Sequence, residues 1–328
     1  AFGHWITLIA VASHIFGCAV IYIILSATLL EEMLDTLASV HKPIYVYIAV
    51  CTTFVWLCLI STKSMKEVAL LSILGTCATL GVVLITVGVS IHEITAHVSQ
   101  TPIVHKFVDW SRLPIAFATM SFAYGGNVVY PHVEQSMAHP RQWNRVVWTA
   151  LSFCFVMYLA IGISGYLAFG TETVNPILEN LPQGAWTTMA NSLITLHVLL
   201  AAPIMLTSMS MMVESFISTR SPRFQQGSTV EQFLKRAVPR TIIMFFAGLI
   251  ASIVPYFGDM MDLLGALTVC LLVFILPVLF YYRLGGLKAA GWVHRIWAGF
   301  IALVGFGAMC MGTIDALRHL AGDLKRRG

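Results

Sequence analysis

The sequence predicts an all-helical integral membrane protein, and three features indicate that fold class. Of the 328 residues, 58% are hydrophobic and only 10% are charged, too few to cover the surface of a soluble protein of this length. Apolar stretches long enough for a bilayer-spanning helix of ~20 residues recur along the whole chain. They lack the alternation of barrel strands, and helices are the remaining way to pair every backbone group in lipid.

Nine apolar segments are predicted to form a single transmembrane domain over residues 1–328. Their ranges are 4–30, 43–60, 68–91, 113–138, 146–169, 186–213, 241–257, 262–282 and 293–317. Each can span the hydrocarbon of a bilayer, and most leave room for tilt. The one long polar connection, residues 214–240, is predicted to be a cytosolic loop.

Basic residues in the connections set the predicted orientation. Twelve follow the even-numbered segments, against three in the opposite loops, so the positive-inside rule places the first group in the cytosol. The twelve are Lys63, Lys66, Arg141, Arg145, Arg220, Arg223, Lys235, Arg236, Arg240, Arg283, Lys288 and Arg295. The basic residues of the tail, from Arg318 to Arg327, fall on the far side, against the rule.

Other function classes find little support in the composition. The seven cysteines all lie in apolar runs, which favours burial over a disulfide framework or a zinc site. The net charge of +4 is small, and no basic patch is large enough for nucleic acid. No cofactor is implied.

The fourth segment contains residues that are poor material for a membrane helix. In SFAYGGNVVYP (121–131), Gly125 and Gly126 weaken the helix, and Pro131 suits the first turn of a restarting one. We therefore predict two half-helices joined by an unwound stretch that faces protein or a cavity, because lipid does not tolerate unpaired backbone. The helix ends would present opposite partial charges, suited to a zwitterion or an ion. A simple kink at a packing contact remains the alternative.

These residues also carry a resemblance to a known family. FAYGGNVVYPHVEQSM, then HPRQW and GYLAFG, resembles the amino acid/auxin permease family of secondary transporters. MANSLITLHVLLAAPIML (189–206) and LLGALTVCLLVFILPVLFYYRL (263–284) are similar to that family's eighth and tenth helices. The resemblance implies an eleven-helix protein whose first ten helices form two inverted halves, as in the leucine-transporter fold. The nine segments would be helices three to eleven, with the first two absent.

The resemblance also implies a site and an activity. Secondary active transport of a neutral amino acid, coupled to a proton in symport or antiport, would proceed by alternating access in a plasma, vacuolar or lysosomal membrane. With the family's first helix absent, half of the substrate site would be missing. The half that is present would supply carbonyls for the substrate ammonium group and a wall for the substrate side chain. Its predicted residues are Phe122, Ala123, Tyr124, Gly125, Gly126 and Asn127.

Ionisable side chains within the segments are candidates for proton coupling, since they are costly in lipid. His14 and His197 lie midway along the first and sixth segments, and histidine titrates near neutral pH. The alternative for each is a neutral ring bonded to a neighbouring helix. Glu134 could lie at the mouth of a cytosolic pathway or be a solvated end residue, and Asp262 is predicted to be solvated in a turn.

Sodium coupling is disfavoured by the eighth-helix match. Sodium-coupled relatives use hydroxyls there, and around Pro203 this chain has none, while Thr195, Thr207 and Ser208 are displaced. Hydroxyls in membrane helices usually bond their own backbone.

Two other functions stay open. A non-transporting amino acid sensor would share the fold. An intramembrane serine hydrolase is suggested by Gly162–Gly165, a GxSG match with Ser164 as nucleophile and His197 as base, but without the context that such a site needs. A channel would show charge rings or filter loops, and neither is seen.

Overall fold

A computed structural model describes residues 2–39, 41–62, 65–96, 103–110, 112–221, 228–286 and 290–327. Within these ranges the protein is helical, without β-strands. The helices are α1 (Phe2–Ala38), α2 (Ile44–Ser61), α3 (Met65–Ala96), α4 (Leu113–Ala123), α5 (Tyr130–Ser136), α6 (Trp143–Phe169), α7 (Ala185–Arg220), α8 (Thr229–Ile253), α9 (Phe257–Leu264), α10 (Leu276–Arg283) and α11 (Trp292–Arg327). A π-helical segment, Gly265–Ile275, joins α9 to α10.

Eight stretches of the described chain are long and apolar enough to cross a bilayer. They are Trp5–Thr36, Ile44–Ser61, Ser72–Ala96, Pro140–Glu172, Ala185–Arg220, Val230–Ile253, Phe257–Arg283 and Trp292–Gly322. The remaining predicted segment, the fourth (113–138), is split between α4 and α5. The all-helical, multi-span membrane fold predicted from the sequence is therefore confirmed.

Helix ends differ most from the prediction in the polar stretch 214–240, which is not one loop. Helix α7 continues to Arg220 and α8 starts at Thr229, capped by the Ser228 hydroxyl, which accepts a hydrogen bond from the Glu231 amide at 3.3 Å. With 36 residues, α7 is about 54 Å long, more than the ~30 Å hydrocarbon. Apolarity marks only the part in lipid, so it cannot locate ends that project into water.

Helix α1 forms the centre of the bundle. Its buried face packs against α2, α7 and α8, and α7 also packs against α3. The core residues of this face are Ala19, Val20, Ile23, Ile24 and Ala27. Large apolar side chains instead point outward from α6 and α11, among them Trp148 and Leu303 at 72% and 70% exposure. Exposure of that kind is expected where a helix faces acyl chains.

A buried arginine joins three helices at the end that carries the basic connections. Arg240 of α8 is 3% exposed, and its Nε donates to Glu214 Oε1 of α7 at 3.0 Å. Its Nη1 donates to the carbonyls of Leu59 and Thr62, both at 2.7 Å, where α2 ends. The arginine thus satisfies carbonyls that a helix C-terminus leaves without intrahelical partners.

Close backbone contact brings α4 against the π segment. A Cβ at Gly265 would lie 2.3 Å from the carbonyl oxygen of Ala118 and 3.2 Å from Phe122 Cβ. Only glycine permits this approach, as in other tightly packed membrane helices. The π segment therefore lies beside the last turns of α4, where the broken helix begins to unwind.

Candidate functional site

The interruption predicted at the double glycine is present. Helix α4 ends at Ala123, Gly125–Val129 forms a 3₁₀ helix, and α5 restarts at Tyr130 with Pro131 in its first turn. The joint is tighter than the unwound stretch predicted. A 3₁₀ turn keeps some backbone pairing, such as the 3.2 Å bond from the Tyr124 amide to the Ser121 carbonyl, while breaking the α-helical ladder.

The π segment faces the break and contacts it through Asn127. Asn127 Nδ2 donates to the Leu272 carbonyl at 3.2 Å, and Asn127 Oδ1 is buried without a partner among the described residues. π-Helical turns are rare and often occur at functional sites. Asn127 Oδ1 is thus an acceptor that a ligand or a water molecule can use.

His14 of α1 lies against the break on another side. It is 3% exposed, its Nδ1 lies 3.2 Å from Thr268 Oγ1, and Thr268 gives its own proton to the Leu264 carbonyl at 2.8 Å. The ring therefore donates through Nδ1, leaving Nε2 to accept from the Cys18 thiol at 3.5 Å. This network suits a neutral imidazole.

Aromatic side chains form the rest of the wall. Phe122 meets the His14 ring edge-on at 6.2 Å, and the rings of Tyr124 and Tyr158 meet at 5.4 Å. The Tyr158 hydroxyl on α6 donates to the Ala123 carbonyl at 3.0 Å, which the end of α4 leaves free. Sequence reasoning missed Tyr158 and Thr268; the available signal was a polar group in an apolar span.

The two glycines have different surroundings. A Cβ at Gly125 would lie 3.2 Å from Val269 Cγ2 and 3.3 Å from His14 Cε1, so this position is tightly packed. A Cβ at Gly126 would meet only Tyr130 Cε1, at 3.9 Å. The backbone at Gly126 therefore faces open space beside the break.

Of the three proton-coupling candidates, only His14 contacts the break. His197 lies on α7 against α3, where a Cβ at Gly75 would come within 2.6 Å of its Nδ1. Glu134 is half-buried in α5, beyond the restart. Among the described residues, no hydrogen bond or ring contact joins His197 or Glu134 to the six predicted site residues.

Thr207, Ser208 and Ser164, three of the hydroxyls named in the sequence analysis, lie within hydrogen-bond distance of carbonyls of their own helices. Thr207 Oγ1 donates to the Pro203 carbonyl at 2.7 Å, and Ser208 lies 3.4 Å from the Ile204 carbonyl, which confirms the expected backbone bonding. Ser164 Oγ likewise donates to the Ala160 carbonyl at 2.7 Å. Where the structure describes the chain, no group of three or more His, Cys, Asp or Glu side chains could hold a metal.

Comparison with known proteins also indicates amino acid transport. A family profile described as transmembrane amino acid transporter protein matches residues 1–318. Amino acid transporter AVT1C of Arabidopsis thaliana is 26% identical over 323 residues, 95% of this chain and 55% of the relative. Amino acid transporter AVT1I of the same plant is 27% identical over 220 residues, 67% and 52% of the two chains.

Amino acid transporter AVT3C of Arabidopsis thaliana is 26% identical over 275 residues, 81% of this chain and 59% of the relative. The chain thus spans about half the length of the curated relatives it matches. These relatives and the family are transporters and not enzymes, so the interpretation of Ser164 as the nucleophile of a hydrolase is not supported. From the match over residues 1–318, this chain belongs to the transmembrane amino acid transporter family.

Proposed function

We propose that the protein is a secondary active transporter of amino acids that binds its substrate at the broken helix. The observation that supports this most is the joint between α4 and α5, where Gly126 is exposed with room for a side chain and the next residue, Asn127, has a buried Oδ1 without a partner among the described residues. The relatives are named as amino acid transporters, which agrees with an amino acid as the solute.

Substrate chemistry fits the groups at the joint. Asn127 Oδ1 and the carbonyls of the break are acceptors for an ammonium group, and Phe122 and Tyr124 give an apolar wall for a neutral side chain. Ala123 adds no bulk. Donors for the substrate carboxylate would come from the family's broken first helix, as the sequence resemblance implies.

Proton coupling and alternating access are part of the same proposal. His14 touches the break directly, so its protonation would replace the bond accepted by Nε2 with a second donor and disturb the network through Cys18 and Thr268. His197 and Glu134 remain candidates on α7 and α5. The own-backbone bonds of Thr207 and Ser208 make them weak sodium ligands, which favours a proton.

The test uses Gly126→Ala and Gly126→Leu in the full-length protein, reconstituted in proteoliposomes. A Cβ at this position meets open space, so both variants should fold, and uptake of labelled amino acid should fall with side-chain size. Gly162→Leu is the matched control, because Gly162 is exposed on α6 with nothing within 4 Å. Normal uptake by folded Gly126→Leu would refute the site, and binding without flux in wild type would indicate a sensor.

A further inference from the structure

A carboxylate lies between the first half of the broken helix and α9. Asp262 is inside the stretch Phe257–Arg283, which is apolar enough to span a bilayer, and it is half-buried. Its Oδ1 accepts a hydrogen bond from Thr119 Oγ1 of α4 at 2.6 Å. The expectation of a solvated turn residue was wrong, because α9 begins at Phe257 and carries Asp262 into the helix packing. Ionisable groups in such positions are costly and usually functional.

The Thr119 hydroxyl can form a hydrogen bond with Asp262 whether the Asp262 carboxyl group is charged or protonated. It also lies 3.1 Å from the Ile115 carbonyl, a second acceptor on its own helix. When the carboxylate is charged, the hydroxyl donates to it. When Asp262 is protonated, it donates to the hydroxyl oxygen, and Thr119 turns its proton to Ile115. The Thr119 hydroxyl and the Asp262 oxygen that it contacts therefore stay paired in both protonation states.

Few other charges act on this carboxylate. Among the described residues, the titratable groups that act on it are Asp259 on its own helix and His319 on α11. Helix α4 carries no titratable side chain. Helix α1 and the π segment also pack against α9, and none of the titratable side chains that the structure describes on them acts on Asp262. These groups are His14, Cys18, Tyr22, Glu31, Glu32, Asp35 and Cys270.

Thr119 and Asp262 lie close to the proposed substrate site and are connected to it through α4. Thr119 lies five residues before Tyr124, about 7–8 Å along α4. Gly265 follows Asp262 by three residues and packs directly on the Ala118 carbonyl. A movement of α4 away from α9 would separate Thr119 from Asp262, and the proton on Asp262 would then lose its acceptor.

We propose that Asp262, paired with Thr119, is a proton-binding residue that couples proton movement to the movement of α4 during amino acid transport. This rests on the proposed transport function and adds a coupling group to it. The proton comes from the aqueous phase, binds Asp262, and leaves to water after α4 has moved.

The experiment compares two activities of the full-length protein in proteoliposomes. One is accumulation of labelled amino acid driven by an imposed pH gradient; the other is exchange of internal for external amino acid without a gradient. In Asp262→Asn, which mimics the protonated state, exchange should continue, while gradient-driven accumulation should fall at least about tenfold, a typical size for the coupling between two bound ligands. Asp315→Asn, at a surface pair with Arg318 on α11, is the matched control and should keep both activities.

Thr119→Val keeps the shape and removes the donor, so Asp262 should hold its proton at higher pH. The pH of half-maximal uptake should then rise by about one unit. Gradient-driven accumulation by Asp262→Asn at the wild-type level would overturn the coupling role alone. If that variant does not fold, an unshifted pH profile of Thr119→Val overturns it. Wild-type protein that exchanges no amino acid would overturn the transport function itself.

Discussion

Replacing Arg240 with methionine should destabilise the bundle at the end that carries the basic connections. The side chain is 3% exposed and bonds Glu214 on α7 and two carbonyls at the end of α2. Methionine fills a similar volume but leaves the Glu214 carboxylate and both carbonyls without their donor. The harm therefore comes from the groups left behind and not from a cavity.

The magnitude follows from those unpaired groups. Removing one partner of a buried ion pair costs about 3–5 kcal/mol, because the remaining charge stays desolvated. Glu214 is 17% exposed in its side chain, so water relieves part of this cost, and the lower end is expected. At roughly 2 °C for each kcal/mol in a large chain, the melting temperature should fall by about 6 °C.

The assay is thermal unfolding of the purified full-length protein in detergent, followed by tryptophan fluorescence. Arg236→Met, one turn earlier on α8 and only half-buried, is the control and should shift the midpoint little. Adding Glu214→Gln to Arg240→Met should recover part of the loss, since it removes the stranded charge. Equal midpoints for Arg240→Met and the control would refute the claim that the buried hydrogen bonds of Arg240 stabilise the packing of α2, α7 and α8.

Two substitutions test the contacts around the break. Gly265→Leu places a side chain against the Ala118 carbonyl, so we expect little monodisperse protein on gel filtration, and a normal yield would show that α4 and the π segment are less close. Tyr158→Phe leaves the Ala123 carbonyl without its donor, and because this bond is exposed the cost is about 1 kcal/mol, so the protein should still fold while amino acid uptake falls. Unchanged uptake would exclude Tyr158 from the site.

The break itself could be predicted because its cause is local. Adjacent glycines weaken a helix wherever they stand, and Pro131 starts one wherever its ring fits, so residues 121–131 contain the signal. The form of the joint could not be predicted. A 3₁₀ turn is selected by contacts such as Asn127 to Leu272, which is 145 residues away in the sequence.

The residues that pack around the break and at the ends of the helices could not be predicted from the sequence for a related reason. The π segment is apolar except for Thr268, and its sequence has no feature that distinguishes it from an α-helical span. Arg240 was assigned to a cytosolic loop by composition alone, yet it is buried because α2 and α7 end beside it. Asp262 likewise needed the position of Thr119, which only the packing of α4 on α9 supplies.

A structure of the full-length protein with a transported amino acid bound tests the central claim most directly. The account predicts density for the solute in the open space beside Gly126, with its ammonium group within hydrogen-bond distance of Asn127 Oδ1. Solute density at another place, with side chains filling the space beside Gly126, would contradict the account.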